Sequence, residues 1–79
     1  VTPLMSARQG EQLVINRFTG GAGSRMRLMS MGLRVGDKID VLTNLNQGQL
    51  VIAVENRRLV LGRGLAQKIM VKALDISNA

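Results

Sequence analysis

The side chains able to carry chemistry are few. The chain has five carboxylates, five methionines, four serines and eleven Lys and Arg, with no histidine and no cysteine. The carboxylates Glu11, Asp37, Asp40, Glu55 and Asp75 fall at no metal-ligand spacing, and hard divalent ions need several oxygens converging. Asp37 and Asp40 are the nearest pair, yet three residues apart on a strand they point to opposite faces. The methionines Met5, Met26, Met29, Met31 and Met70 would suit soft Cu(I), but at helical spacing thioethers serve as core or as adaptable contact surface. Ser6, Ser24, Ser30 and Ser77 have no base within sequence reach, and without His or Cys a general base at neutral pH needs a strongly perturbed carboxylate or lysine. We read no catalytic residue, no metal site and no cofactor.

Two further patterns concern anions. Gly20-Gly21-Ala22-Gly23-Ser24-Arg25 has the ingredients of an anion nest, a glycine loop opening a helix beside a cation. It lacks the Gly-Lys-Ser/Thr close of a nucleotide loop, so the glycines are read as a sharp strand-to-helix turn. The net charge of +6 favours an anionic partner, but the cations run from Arg8 to Lys72 without clustering. Single-stranded nucleic acid is read on aromatic platforms, and the one aromatic residue, Phe18, sits in the inner pattern of a strand. No specific nucleic acid is expected.

The elements that must position these residues are short. Arg25 to Met31 reads as a helix with Ser24 as N-cap. Gly32 is its left-handed C′ residue, and Leu33 folds back on Leu28. Strands are expected over Glu11–Phe18, Lys38–Thr43, Gln49–Glu55, Arg58–Leu61 and Ile69–Lys72, with a hairpin turn at Asn56-Arg57 and a helical turn at Leu65–Lys68. Leu4 and Met5 cover one end of the core, Asn44 to Gly48 is a loop, and Asp75 to Ala79 frays. The fold class is all-β, a small barrel of five or six strands with one short helix between strands 1 and 2. Its core takes Leu13, Ile15, Ile39, Val41, Ile52, Val54, Leu59, Leu61, Ile69 and Val71.

At 79 residues the chain is expected to form one domain, ordered over roughly residues 4–74 and burying about 60% of its unfolded surface. No apolar run spans a bilayer and Val1-Thr2-Pro3-Leu4 is no targeting segment, so a cytoplasmic location without membrane insertion is expected. So short a helix cannot bury every apolar residue it carries. Met26, Met29 and Leu33, ringed by Arg25, Arg27 and Arg34, are the expected partner-binding surface. For Leu28, Met31 and Leu33, plugging the barrel is an equal reading.

The run Arg27-Leu28-Met29-Ser30-Met31-Gly32-Leu33-Arg34-Val35-Gly36-Asp37-Lys38-Ile39 resembles the signature of the ferrous iron transport protein A family, the FeoA-like domains. Gly20, Gly21, Ala66 and the Ile69-x-Val71 strand fit as well, while Asn56 stands where such domains usually carry Gly. The resemblance covers Leu4 to Leu74. It implies an SH3-like barrel and a non-enzymatic accessory or regulatory protein of bacterial ferrous iron uptake. Its implied partner is the ferrous iron transporter, a membrane protein bearing a cytosolic GTPase domain. Weak self-association is a separate expectation. The alternatives are a small basic nucleic-acid-binding barrel, or the C-terminal SH3-like domain of a metal-responsive repressor cut from a longer chain.

Overall fold

The computed structural model describes residues 1–44 and 48–74. The strands are β1 (Thr2–Pro3), β2 (Gln12–Phe18), β3 (Lys38–Asn44), β4 (Leu50–Val54), β5 (Arg57–Leu61) and β6 (Ile69–Ala73). Helix α1 (Ala22–Ser30) joins β2 to β3, and the one-turn α2 (Arg63–Ala66) joins β5 to β6. All pairings are antiparallel, in the order β1-β6-β2-β3-β4-β5. The all-β class with one inserted helix stands as read. The helix falls between the second and third strands because the two residues of β1 pair with β6 and count as a strand.

Alternation makes the core. In β4, Leu50, Ile52 and Val54 are buried while Val51 and Ala53 are half-buried, the period of a strand with one face inward. Leu13 and Ile15 of β2, Ile39 and Val41 of β3, and Ile69 and Val71 of β6 face the same interior. Leu59, expected in the core, is only half-buried, packing against it from β5. Leu61 of β5, with Leu4, Ala7, Leu28, Leu33 and Ala66, completes the core. Leu4 heads a 3-10 turn, Leu4–Ser6, that Asn44 fastens by donating from Nδ2 to the Met5 and Ala7 carbonyls. Fully burying each such aliphatic side chain contributes about 1.5–3 kcal/mol.

Three turns differ from expectation. Helix α1 starts at Ala22 behind Gly21, with no side-chain cap, so Ser24 is not its N-cap. Gly21 adopts an extended conformation that ends the strand-to-helix link early, leaving Ser24 inside the first turn. The β4–β5 turn is Glu55-Asn56, both left-handed at φ 50° and 67°, which is the type I′ geometry that matches strand twist. That releases Arg57 into β5. Helix α2 likewise begins two residues ahead of Leu65. The expected fraying of Asp75 to Ala79, and residues 45–47 of the expected loop, lie outside the described residues.

Candidate partner-binding surface

Helix α1 is fastened on one side and bare on the other. Leu28 is fully buried and anchors it to the barrel. At its C-terminus the Leu33 amide donates to the Leu28 carbonyl at 3.3 Å and the Gly32 amide to the Met29 carbonyl at 3.0 Å. This pair of bonds is a Schellman motif, made possible by Gly32 at φ 90°. Arg57 lies against the same turn and donates long bonds to the Met31 and Gly32 carbonyls, at 3.5 and 3.4 Å. At the other end Lys68 Nζ donates to Ser24 Oγ at 2.9 Å. Serine thus fixes the helix through a distant lysine rather than capping it.

The loop after α1 is equally well held. Asp37 Oδ2 accepts from the Arg34 amide at 2.9 Å, closing a tight turn through Gly36, which has φ 97°. The Gly36 amide donates to the Ile15 carbonyl at 2.8 Å, and the Ile15 amide donates to the Asp37 carbonyl at 2.9 Å. Leu33 is fully buried beneath this loop. Leu33 is read from sequence equally as accessible partner surface and as a plug of the barrel, and it is the plug. The Schellman turn directs its side chain into the core, so it leaves the partner surface and holds that surface in place from below.

Strand β2 supplies a third wall. Its pairing with β6 slips between Ile15 and Arg17, leaving Asn16 as the extra residue of a bulge. Strict alternation from Leu13 and Ile15 would turn Arg17 inward. The bulge shifts the pattern by one, leaving Arg17 exposed and Phe18 half-buried against the core.

These three segments enclose an open groove of about 500 Å³, lined by Arg17, Phe18, Arg25, Met29, Arg34 and Val35. Arg25 and Met29, four apart on α1, stack on the groove side of the helix. Met26 points away from buried Leu28 and is 70% exposed. Arg27, two positions from Arg25, turns to the opposite flank, since two residues rotate by about 200°. Of the six residues expected at a partner surface, the fold therefore brings Arg25, Met29 and Arg34 together, sets Met26 and Arg27 outside the groove, and buries Leu33. Arg17, Phe18 and Val35 were not foreseen. Their one local signal is Arg17-Phe18 standing just ahead of the Gly20-Gly21 turn.

Among the described residues, no three of His, Cys, Asp and Glu come together as metal ligands. Among them too, no helix is long and apolar enough to cross a membrane.

Residues 2–73 match the family described as the FeoA domain. A curated protein of Methanocaldococcus jannaschii named "Putative Fe(2+) transport protein A" is 40% identical over 70 residues, which are 89% of this chain and 84% of that one. A crystal structure of an iron uptake regulatory protein, FeoA, superposes with a TM-score of 0.86 at 36% identity, covering 92% of this chain and 97% of the other. A manganese-dependent transcriptional repressor shares the fold at a TM-score of 0.84 and 23% identity. That match takes in 91% of this chain but 41% of the repressor.

Proposed function

The chain belongs to the FeoA domain family, and from that premise we propose that it is a non-enzymatic, cytoplasmic accessory protein of ferrous iron uptake. It acts by contact with the membrane transporter that bears a cytosolic GTPase domain, and residues 1–79 work as one SH3-like unit. The names carried by similar proteins, an Fe(2+) transport protein and an iron uptake regulatory protein, support the iron context. The observation that carries the contact mechanism is helix α1, fastened from beneath while Met26 and Met29 stand 70% and 56% exposed among arginines. Flexible thioethers adapt to a partner's shape, and surrounding cations steer it into place.

The test is a titration of the transporter's purified cytosolic region with the wild-type chain and with Met26→Asp, Met29→Asp and Arg27→Glu variants. Each variant's thermal unfolding is followed in parallel. We expect folded variants that bind at least about tenfold more weakly and fail to restore ferrous iron uptake in cells lacking the chain. Unchanged binding and uptake by folded variants would remove this surface from the mechanism. Anaerobic calorimetry adds a second check: on this reading Fe²⁺ associates only weakly with the chain, and a stoichiometric tight site would make it an iron carrier instead.

A further inference from the structure

The groove beside α1 has a composition that narrows its occupant. Three guanidinium-bearing residues, Arg17, Arg25 and Arg34, come to it from a strand, a helix and a loop, and among the described residues no carboxylate lines it. The acid of the adjoining turn, Asp37, is engaged by the Arg34 amide. Arg57 leans on helix carbonyls, but none of these three guanidiniums donates a hydrogen bond to another described residue. Three like charges around one opening repel one another, and an anionic occupant relieves that repulsion.

Charge alone would admit phosphate or nucleic acid, but the remaining lining is apolar. Met29 and Val35 are 56% and 61% exposed, and Phe18, half-buried against the core, lines the same groove. Exposed apolar groups between cations call for an apolar group flanked by anions. Nucleic-acid bases would need a free aromatic face, and Phe18 is half-buried with its ring packed on the core. The opening of about 500 Å³ has room for one large side chain and the backbone on either side of it.

We propose that this groove receives an acidic segment of a partner protein, one bulky apolar side chain seating on Phe18, Met29 and Val35 while flanking carboxylates pair with Arg17, Arg25 and Arg34. Guanidinium forks suit this task, because each can take a carboxylate through two parallel N–H bonds. The segment's chemistry rests on the reading that the chain works by protein contact, and it can be tested apart from the transporter.

The 79-residue chain, labelled, is passed over an array of short random peptides at physiological salt, alone and with a competing thymidine oligonucleotide. The expected result is enrichment of peptides that place Asp or Glu on both sides of a Leu, Phe or Met. In solution, the top such peptide should lose at least about tenfold in affinity when its acids become Gln or its apolar residue becomes Ala. The Arg25→Gln and Arg34→Gln variants, confirmed folded by thermal unfolding, should bind it about tenfold more weakly as well. Enrichment of neutral or basic peptides, retention of none, binding indifferent to the apolar residue, affinity unchanged in both arginine variants, or displacement by the oligonucleotide would each overturn the proposal. A matched titration with the transporter's cytosolic region separates the two readings. Transporter binding without acidic preference leaves the contact mechanism standing and removes this occupant; acidic preference without transporter binding does the reverse.

Discussion

The two flanks of helix α1 are built to opposite rules. On the inner flank Leu28 is fully buried, the C-terminal carbonyls are closed by a Schellman turn, and Ser24 is held by Lys68. On the outer flank Met26 and Met29 are exposed, and Arg25 shares an open groove with two other arginines. A helix of nine residues cannot stand alone in water, so its stability must come from the inner flank. The outer flank is then free to be chosen for contact rather than for folding. If that division is real, substitutions on the inner flank cost stability and those on the outer flank cost binding alone.

The largest expected effect lies at Leu28. A chain of 79 residues is stable by about 4–12 kcal/mol. Leu28→Ala opens a cavity under the helix and should cost roughly 2–5 kcal/mol, a large share of that total. Urea denaturation followed by circular dichroism measures it. A loss below about 1 kcal/mol would mean that the helix is not anchored there, and the division between flanks would fail.

Next comes Gly32, the hinge between the flanks. A Cβ added there would lie 2.5 Å from Arg57 Nη2, and φ of 90° is disfavoured for any other residue. The guanidinium is the far end of a flexible side chain and can swing aside, so the backbone conformation dominates the cost. Gly32→Ala should destabilise by about 1–2 kcal/mol. Adding Arg57→Ala should recover only a small part of it. Recovery of most of the loss in a double-mutant cycle would show that Arg57, not the backbone, sets the requirement for glycine.

What was legible in the sequence follows the same line between local and non-local causes. Gly32 and Leu33 announced the Schellman turn because that motif is written in adjacent residues. Leu50, Ile52 and Val54 announced β4 because alternation is local too. The bulge at Asn16 is a property of β2 and β6 together, so nothing near Asn16 signals it. Without the bulge, neither Arg17 nor Phe18 could be assigned to the groove. Leu33 lies between the two. The motif that folds it back on Leu28 is local, but choosing burial over exposure also takes the bonds between Ile15 and the Gly36-Asp37 turn that close the loop over it.

A smaller effect, of opposite sign, is expected at the far hairpin. Glu55 holds a left-handed conformation that a side chain of its type disfavours. Replacing Glu55-Asn56 with Asn-Gly supplies the residues that type I′ turns prefer, and should raise stability by about 0.5–1 kcal/mol. The hairpin contributes nothing to the groove lining, so partner affinity should stay the same. A changed affinity would show that the groove and the hairpin are coupled, with Arg57 on the helix carbonyls as the first suspect.

The smallest expected change in stability, and the sharpest division, is at Arg25. It lies four residues after Gly21, the N-cap, in a helix whose first turn carries no acidic residue. Amide dipoles make that end partly positive, so an arginine there is mildly unfavourable and a carboxylate mildly favourable. Arg25→Glu should therefore leave the unfolding midpoint unchanged or raise stability by about 0.3–0.5 kcal/mol. The same substitution puts a negative charge into a groove lined by Arg17 and Arg34, and should weaken any acidic partner about tenfold or more. Stability and binding would then move in opposite directions at one residue. A damaged fold cannot produce that pattern, because it lowers both together. Were Arg25→Glu to reduce stability and leave binding intact, the guanidinium would belong to the anchoring of the helix, and the two flanks of α1 would not be separate after all.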